Sequence, residues 1–252
     1  MAGERRPGLI LRHGVDAPPA LLTEWARARG IEHEVHRTWQ EPLPADPAAY
    51  GWIATLGSEH TPGAEGAPDW VDAEIDFLRR ALELDVPVLG LCFGGQALAV
   101  AAGGSVAPSD PPEIGWYEVA TSDPALVPPG PWLHYHYDQL TPPQNANVIA
   151  RAGSGPAAFA LGRSLGLQFH PESTAEMGGA WAEMDNEQRT RRGFGGDGVF
   201  EDEPETVRAD AMRLFDAWWE LAGDPRRTGM GTLSKIGGQA DGDAPPDPRR
   251  ST

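Results

Sequence analysis

Val86 to Val100, VPVLGLCFGGQALAV, reads as a strand, a sharp turn and a helix in fifteen residues. It opens as an apolar run, Val86 to Leu91, interrupted only by Pro87, which suits a strand buried on both faces of a parallel sheet. It closes as a helix with Ala97, Leu98, Val100 and Ala101 on its apolar side and Gly103-Gly104 as the stop. Between the two lies Gly90-Leu91-Cys92-Phe93-Gly94, a G-x-C-x-G sharp turn of the nucleophile-elbow type. Glycine is required on both sides of the cysteine because a Cβ there would crowd the turned backbone.

That geometry has chemical consequences. Cys92 would stand at a helix N-terminus, where free N–H groups and the helix dipole favour a thiolate. The Phe93 N–H would point to where an oxyanion forms during attack on a carbonyl, beside Gly94. Gln96 lies one turn along on the same face, so its amide is expected to reach a bound substrate. A lone cysteine is ordinarily a small buried apolar residue; the strand–turn–helix setting argues for a nucleophile here.

Working outward, the segments before the elbow alternate between strand and helix. Gly8 to His13 reads as a first strand, Pro19 to Arg29 as a helix with Leu21, Leu22, Trp25 and Ala28 on one face, and Ile31 to Thr38 as a strand nearer the sheet edge. Gly51 to Leu56 is a third strand running into the polar loop Gly57-Ser58-Glu59-His60. Pro68 to Leu84 keeps a helical period through Val71, Ile75, Leu78 and Leu82, with Asp69 suited to its start. This order predicts an α/β fold with a doubly wound, mostly parallel sheet, and places the Gly57 loop and Cys92 together at the carboxyl ends of the strands.

Beyond the elbow the texture changes. Residues 105–152 are rich in proline and hold short β-like runs at Ile114 to Ala120, Trp132 to Tyr137 and Asn147 to Ala152, expected as a short antiparallel insertion. Ala157 to Leu161 and Ser164 to His170 are expected to return to the sheet. Ser173 to Arg189 reads as a helix with Met177, Trp181 and Met184 inward, 190–203 as a mobile loop, and Pro204 to Ala222 as a closing helix. The expected organisation is one domain over 1–222 and a tail over 223–252 too poor in apolar residues to pack.

Composition narrows the function classes. The 252 residues carry 37 acidic and 20 basic side chains, a formal charge of −17, which opposes binding to nucleic acid or an anionic membrane surface. The single cysteine excludes an internal disulfide and suits a reducing compartment. No apolar run approaches membrane-spanning length and the N-terminus does not read as a signal peptide, so the expectation is a cytoplasmic protein.

The segment Gln168-Phe169-His170-Pro171-Glu172 ends the last predicted strand. Alternation along an extended chain would point His170 and Glu172 the same way, a base beside the carboxylate that orients it. Together, GLCFGGQALA, the EIGW at 113–116, the H-x-D of His136 and Asp138, and QFHPE at 168–172 resemble the class I (triad) glutamine amidotransferases, in particular the glutaminase domain of GMP synthetase and its stand-alone relatives. The resemblance runs from about residue 8 to 190 and implies a flavodoxin-like fold. It also implies hydrolysis of the glutamine side-chain amide through a γ-glutamyl thioester on Cys92. His170 would be the base, Glu172 its orienting acid, Gln96, Gly94, His136 and Asp138 substrate contacts, and the N–H groups of Phe93 and of the Gly57-Ser58 loop the oxyanion hole. No cofactor or metal is called for, and the partner implied is a synthetase that accepts the ammonia.

The chain departs from the family in two places. Gly57-Ser58-Glu59 stands where Gly-Gly-Pro is usual, leaving open which residue of that loop donates, and Tyr137 replaces the glycine usual between the His and the Asp. Other readings of the same residues are a self-sufficient γ-glutamyl hydrolase, a regulatory protein on this scaffold, and a dienelactone-hydrolase-like enzyme using Cys92, Asp138 and His170. The H-x-H-x-D of His134, His136 and Asp138 also resembles the start of a metallo-β-lactamase motif, which Gln139 fails to continue.

Overall fold

Alternating side chains of the first strand set the architecture. In β1 (Gly8–Arg12) Leu9 and Leu11 face one side and Ile10 the other, and all three are buried. The structure, a computed structural model, describes residues 6–193, 200 and 202–223. The tail expected after Gly223, the first five residues and much of the 190–203 loop lie outside them.

β1 pairs in parallel with β2 (His33–Arg37) on one side and β3 (Trp52–Thr55) on the other. Next to β3 lie β4 (Val88–Leu91) and then, also parallel, β10 (Ser164–Leu167). The sheet continues antiparallel through β9 (Pro156–Leu161), β8 (Asn147–Arg151) and β6 (Ala120–Thr121), giving the order β2-β1-β3-β4-β10-β9-β8-β6. The sequence-based insertion is therefore divided. β8 and β6 extend the main sheet, and only β5 (Ser105–Tyr117) and β7 (Trp132–Thr141) form a separate antiparallel ribbon. Its register slips between Pro108 and Glu113, where Pro108, Pro111 and Pro112 have no N–H to give to a ladder.

Helices cover both faces. On one, α1 (Ala20–Ala28) and α6 (Val207–Leu221) pack Leu22, Trp25, Leu214, Phe215 and Trp218 against Ile10, Trp52 and Leu165. On the other, α2 (Asp69–Glu83) and α3 (Phe93–Ala101) pack Val71, Leu78, Ala97 and Leu98 against Leu9, Leu11, Ile53 and Val88. Two predicted helix faces shift by a residue or more: Ala26 rather than Ala28 is buried in α1, and α3, expected to have one apolar side, is buried from Phe93 to Ala99 because sheet and α2 enclose it. The helix expected over Ser173 to Arg189 is two, α4 (Ala175–Met184) and α5 (Asn186–Arg191), meeting at Asp185; Met184, expected inward, is exposed.

Candidate active site

At the carboxyl end of β4 the chain turns so sharply that Cys92 adopts φ 52°, ψ −107° before α3 begins at Phe93. The flanking glycines have steric reasons. A Cβ on Gly90 would lie 2.4 Å from the Gly94 carbonyl oxygen, and one on Gly94 would lie 2.0 Å from the Thr55 carbonyl oxygen. The Gly94 N–H donates to the Leu56 carbonyl at 3.0 Å, tying the elbow to the loop after β3. The Phe93 N–H belongs to the first helical turn, where no intrahelical carbonyl is available.

His170 reaches Cys92 from the segment after β10. Its Nδ1 lies 2.8 Å from Glu172 Oε1, and both side chains are buried. Strand alternation is not what brings them together, because β10 ends at Leu167 and 168–173 is irregular, with a turn at Pro171-Glu172. That turn is held from three sides: the His170 N–H donates to the Leu133 carbonyl of β7, the Leu21 N–H of α1 donates to the Glu172 carbonyl, and the Ser173 N–H closes back on His170. The Trp181 ring covers the imidazole at 4.8 Å between centroids. Burial alone would lower the His170 pKa. The charges of Cys92 and Glu172 and hydrogen bonds to both outweigh it and raise the imidazole from 6.5 to about 10.

Cys92 and His170 open into a cleft of about 600 Å³ lined also by Gly57, Ser58, His136, Asp138 and Tyr137. The inner ribbon is locked to the rest of the rim. Gln96 donates its amide to the Asp138 carbonyl at 3.0 Å, and the Asp138 carboxylate accepts the Thr61 hydroxyl at 2.5 Å. Gln96 lines the cleft, with its amide nitrogen on Asp138. Asp138 is bonded to Thr61 whereas Glu172 is the carboxylate on His170, which is not the arrangement a Cys92-Asp138-His170 order requires. Tyr135 and Tyr137 donate to Asp185 at 3.0 and 2.5 Å, and burial together with Asp185 raises Tyr137 to about 12.

Two buried acids have no role assigned from sequence, although Glu113 opens the EIGW of 113–116 and pairs with the His134 and His136 of the H-x-H-x-D stretch. Glu113 Oε2 lies 3.0 Å from both His134 Nδ1 and His136 Nε2, and its Oε1 accepts the Ser154 N–H at 2.8 Å. Burial would raise the Glu113 pKa, but these hydrogen bonds hold it well below the usual carboxylate range, while burial lowers His134 to about 4. The three donors lie close enough to hold a cation. However, His134 Nε2 is buried without a partner among the described residues, so its proton belongs on Nδ1 facing Glu113. His136 Nδ1 donates to the Asp138 carbonyl at 3.1 Å, which ties the cluster to the rim of the cleft. The second group is Glu74, wholly buried on α2, bonded to His13 and Thr55. An acid at the Val71 and Ile75 face of an amphipathic helix was the available signal.

Residues 60–183 match the model of the glutamine amidotransferase class-I family. The chain carries a class-I glutamine amidotransferase domain. It is 40% identical over 179 residues to a GMP synthase of Mycobacterium tuberculosis, covering 66% of this chain and 32% of that protein. It is 39% identical over 111 residues to a GMP synthase of Aeropyrum pernix, covering 41% of this chain and 22% of the relative. The chain therefore spans about a fifth to a third of the length of these curated relatives. Its fold matches a glutamine amido transferase from Methylobacillus flagellatus (TM-score 0.77, 23% identity, 86% of this chain and 96% of that one). A glutamine amidotransferase from Thermotoga maritima matches similarly (TM-score 0.75, 22% identity, 87% and 99%). Among the described residues no helix is long and apolar enough to cross a membrane.

Proposed function

We propose that this class-I amidotransferase domain is a glutaminase acting through Cys92, His170 and Glu172. The observation that carries the reading is the convergence of His170, held by Glu172 at 2.8 Å, on a cysteine fixed at a positive-φ elbow. The Cys92 sulfur attacks the side-chain amide carbonyl of glutamine, and the resulting oxyanion lies against the Phe93 N–H and an N–H of the Gly57-Ser58 loop. His170 gives its proton to the departing nitrogen, ammonia leaves, and a γ-glutamyl thioester remains on Cys92. His170, now neutral, accepts a proton from water as it attacks the thioester, and collapse expels the Cys92 thiolate, paired again with protonated His170, and releases glutamate. Glu172 keeps the imidazole oriented throughout and carries no proton itself.

The ammonia is supplied to a synthetase in trans. The GMP synthases to which the chain is similar match it over only 22% and 32% of their own length. The Gly57–Gly66 loop and the His134–Asp138 segment, joined through Thr61 and Asp138, form the rim on which such a partner would act.

Glutamate release from glutamine by the purified protein tests the reading. Cys92→Ala is expected to abolish it, and activity retained in that variant removes the nucleophile assignment. A kcat already within the usual range of about 1–10³ s⁻¹, unaffected by any synthetase, would favour a self-sufficient γ-glutamyl hydrolase.

A further inference from the structure

The ends of β1 and β3 meet beneath the Gly57 loop, and a buried acid joins them. Glu74, wholly buried on α2, places Oε2 2.8 Å from His13 Nε2 and accepts the Thr55 hydroxyl on Oε1 at 2.5 Å. His13, just beyond β1, turns its other nitrogen to the Gly57 carbonyl oxygen at 3.1 Å. A carbonyl can only accept, so Nδ1 carries a proton and the imidazole orientation is set by Glu74 behind it. The ring is clamped as well, stacked on Trp70 at 4.9 Å and edge-on to Phe93 at 4.9 Å. On the far side of the loop, the Leu56 carbonyl is taken by the Gly94 N–H of the elbow. Gly57 itself is pressed so closely on the base that a Cβ there would lie 2.7 Å from His170 Cε1.

Both carbonyls of the Leu56–Gly57 segment are thus anchored in the protein. In a trans peptide the C=O and the following N–H point in opposite directions. Anchoring the Gly57 oxygen on His13 therefore turns the Ser58 N–H away from His13. We infer that Glu74 and His13 are positioning residues that fix the Gly57–Ser58 peptide so that the Ser58 N–H is the second oxyanion donor opposite Phe93. This inference rests on the glutaminase reading and adds to it the device that sets the loop, where the chain lacks the Gly-Gly-Pro usual in the family. Neither residue touches the reacting atoms; a peptide free to flip would offer the oxyanion a carbonyl in place of an N–H.

The experiment compares glutamine turnover with alkylation of Cys92 by iodoacetamide, a displacement at a saturated carbon that forms no oxyanion. His13→Ala is expected to lower kcat by about 10²-fold, the order seen when one oxyanion donor is lost, with KM changed by less than about twofold and the alkylation rate kept. His13→Asn, whose side-chain amide can donate from near the Nδ1 position, is expected to recover at least about tenfold of the loss. Glu74→Ala and Glu74→Gln give a second, independent pair, since the Gln amide can both accept from Thr55 and donate to His13, and so recovers what Ala loses. Full kcat in His13→Ala overturns the inference. So does a parallel fall in turnover and alkylation, which would show that the pair merely holds the site together. A wild-type protein whose Cys92 alkylates but which releases no glutamate overturns the glutaminase reading first, and this inference with it.

Discussion

The two walls of the cleft are built by opposite means. On the elbow wall Cys92 is fixed by its own neighbours in the chain: Gly90 and Gly94 are where any Cβ would strike backbone, and the helix starts at the next residue. On the ribbon wall each group is fixed by something distant. His134 and His136 of β7 meet Glu113 of β5, Asp138 meets Thr61 from the other side of the cleft, and the tyrosines meet Asp185 at the α4–α5 junction. His170 joins the two, since its turn is held by β7 and α1 while its ring serves the elbow. A nucleophile held by local backbone tolerates loss of its side chain without loss of shape. A wall held by buried polar cross-links should instead lose stability when one link is cut.

The largest effects should separate the walls by activity. Glu172→Gln is expected to lower the acylation rate by up to about 10⁴-fold, as neutralising the acid of a serine triad does. Asp138→Asn can still accept from Thr61 and should cost no more than about tenfold. Pre-steady-state acylation rates check this, and the reverse ranking would restore the Cys92-Asp138-His170 order.

Next comes a stability difference. Glu113→Gln removes the carboxylate shared by two buried histidines and should cost about 3 kcal/mol or more in urea unfolding, with the elbow chemistry otherwise intact. Because Glu113 is held below its ordinary value, its contribution is present above about pH 4.5 and fades on acidification. The variant should therefore lose less stability than wild type as pH falls below that value.

A titration sharpens the place of His170. Its raised pKa means that its charged interactions stabilise the fold fully below pH 6.5, and that the contribution is lost as pH climbs through about 10. Imidazole NMR should show His170 titrating far above an ordinary histidine, and Cys92→Ala should move that midpoint downward. A midpoint that stays put would remove Cys92 from the pair.

The smallest effect concerns the backbone of the elbow. At φ 52° and ψ −107° a side chain is strained, so Cys92→Gly should exceed Cys92→Ala in stability by about 1 kcal/mol while both are inactive. Equal melting temperatures would show that the elbow stores no strain.

Local patterns were enough for the elbow and for the succession of strands and helices through β4, because glycine sterics, strand runs and helical periods act over a few neighbouring residues. They also placed the family, through GLCFGGQALA and QFHPE. What they misplaced or missed was settled by contacts between distant segments. Pairing His170 with Glu172 takes a turn braced by α1 and β7 rather than an extended strand. Met184 faces out where a helix breaks at Asp185. Glu74 looked like an ordinary acid in a chain that carries 37, and Glu113 was legible only as part of the 113–116 motif; packing that excludes water around both turned them into the anchors of the two rims. The sequence by itself determined where a nucleophile must stand, since that depends on what one short turn can hold. The tertiary structure decided which carboxylate each histidine meets, since a buried charge is compensated by whatever partner the fold brings within hydrogen-bond reach.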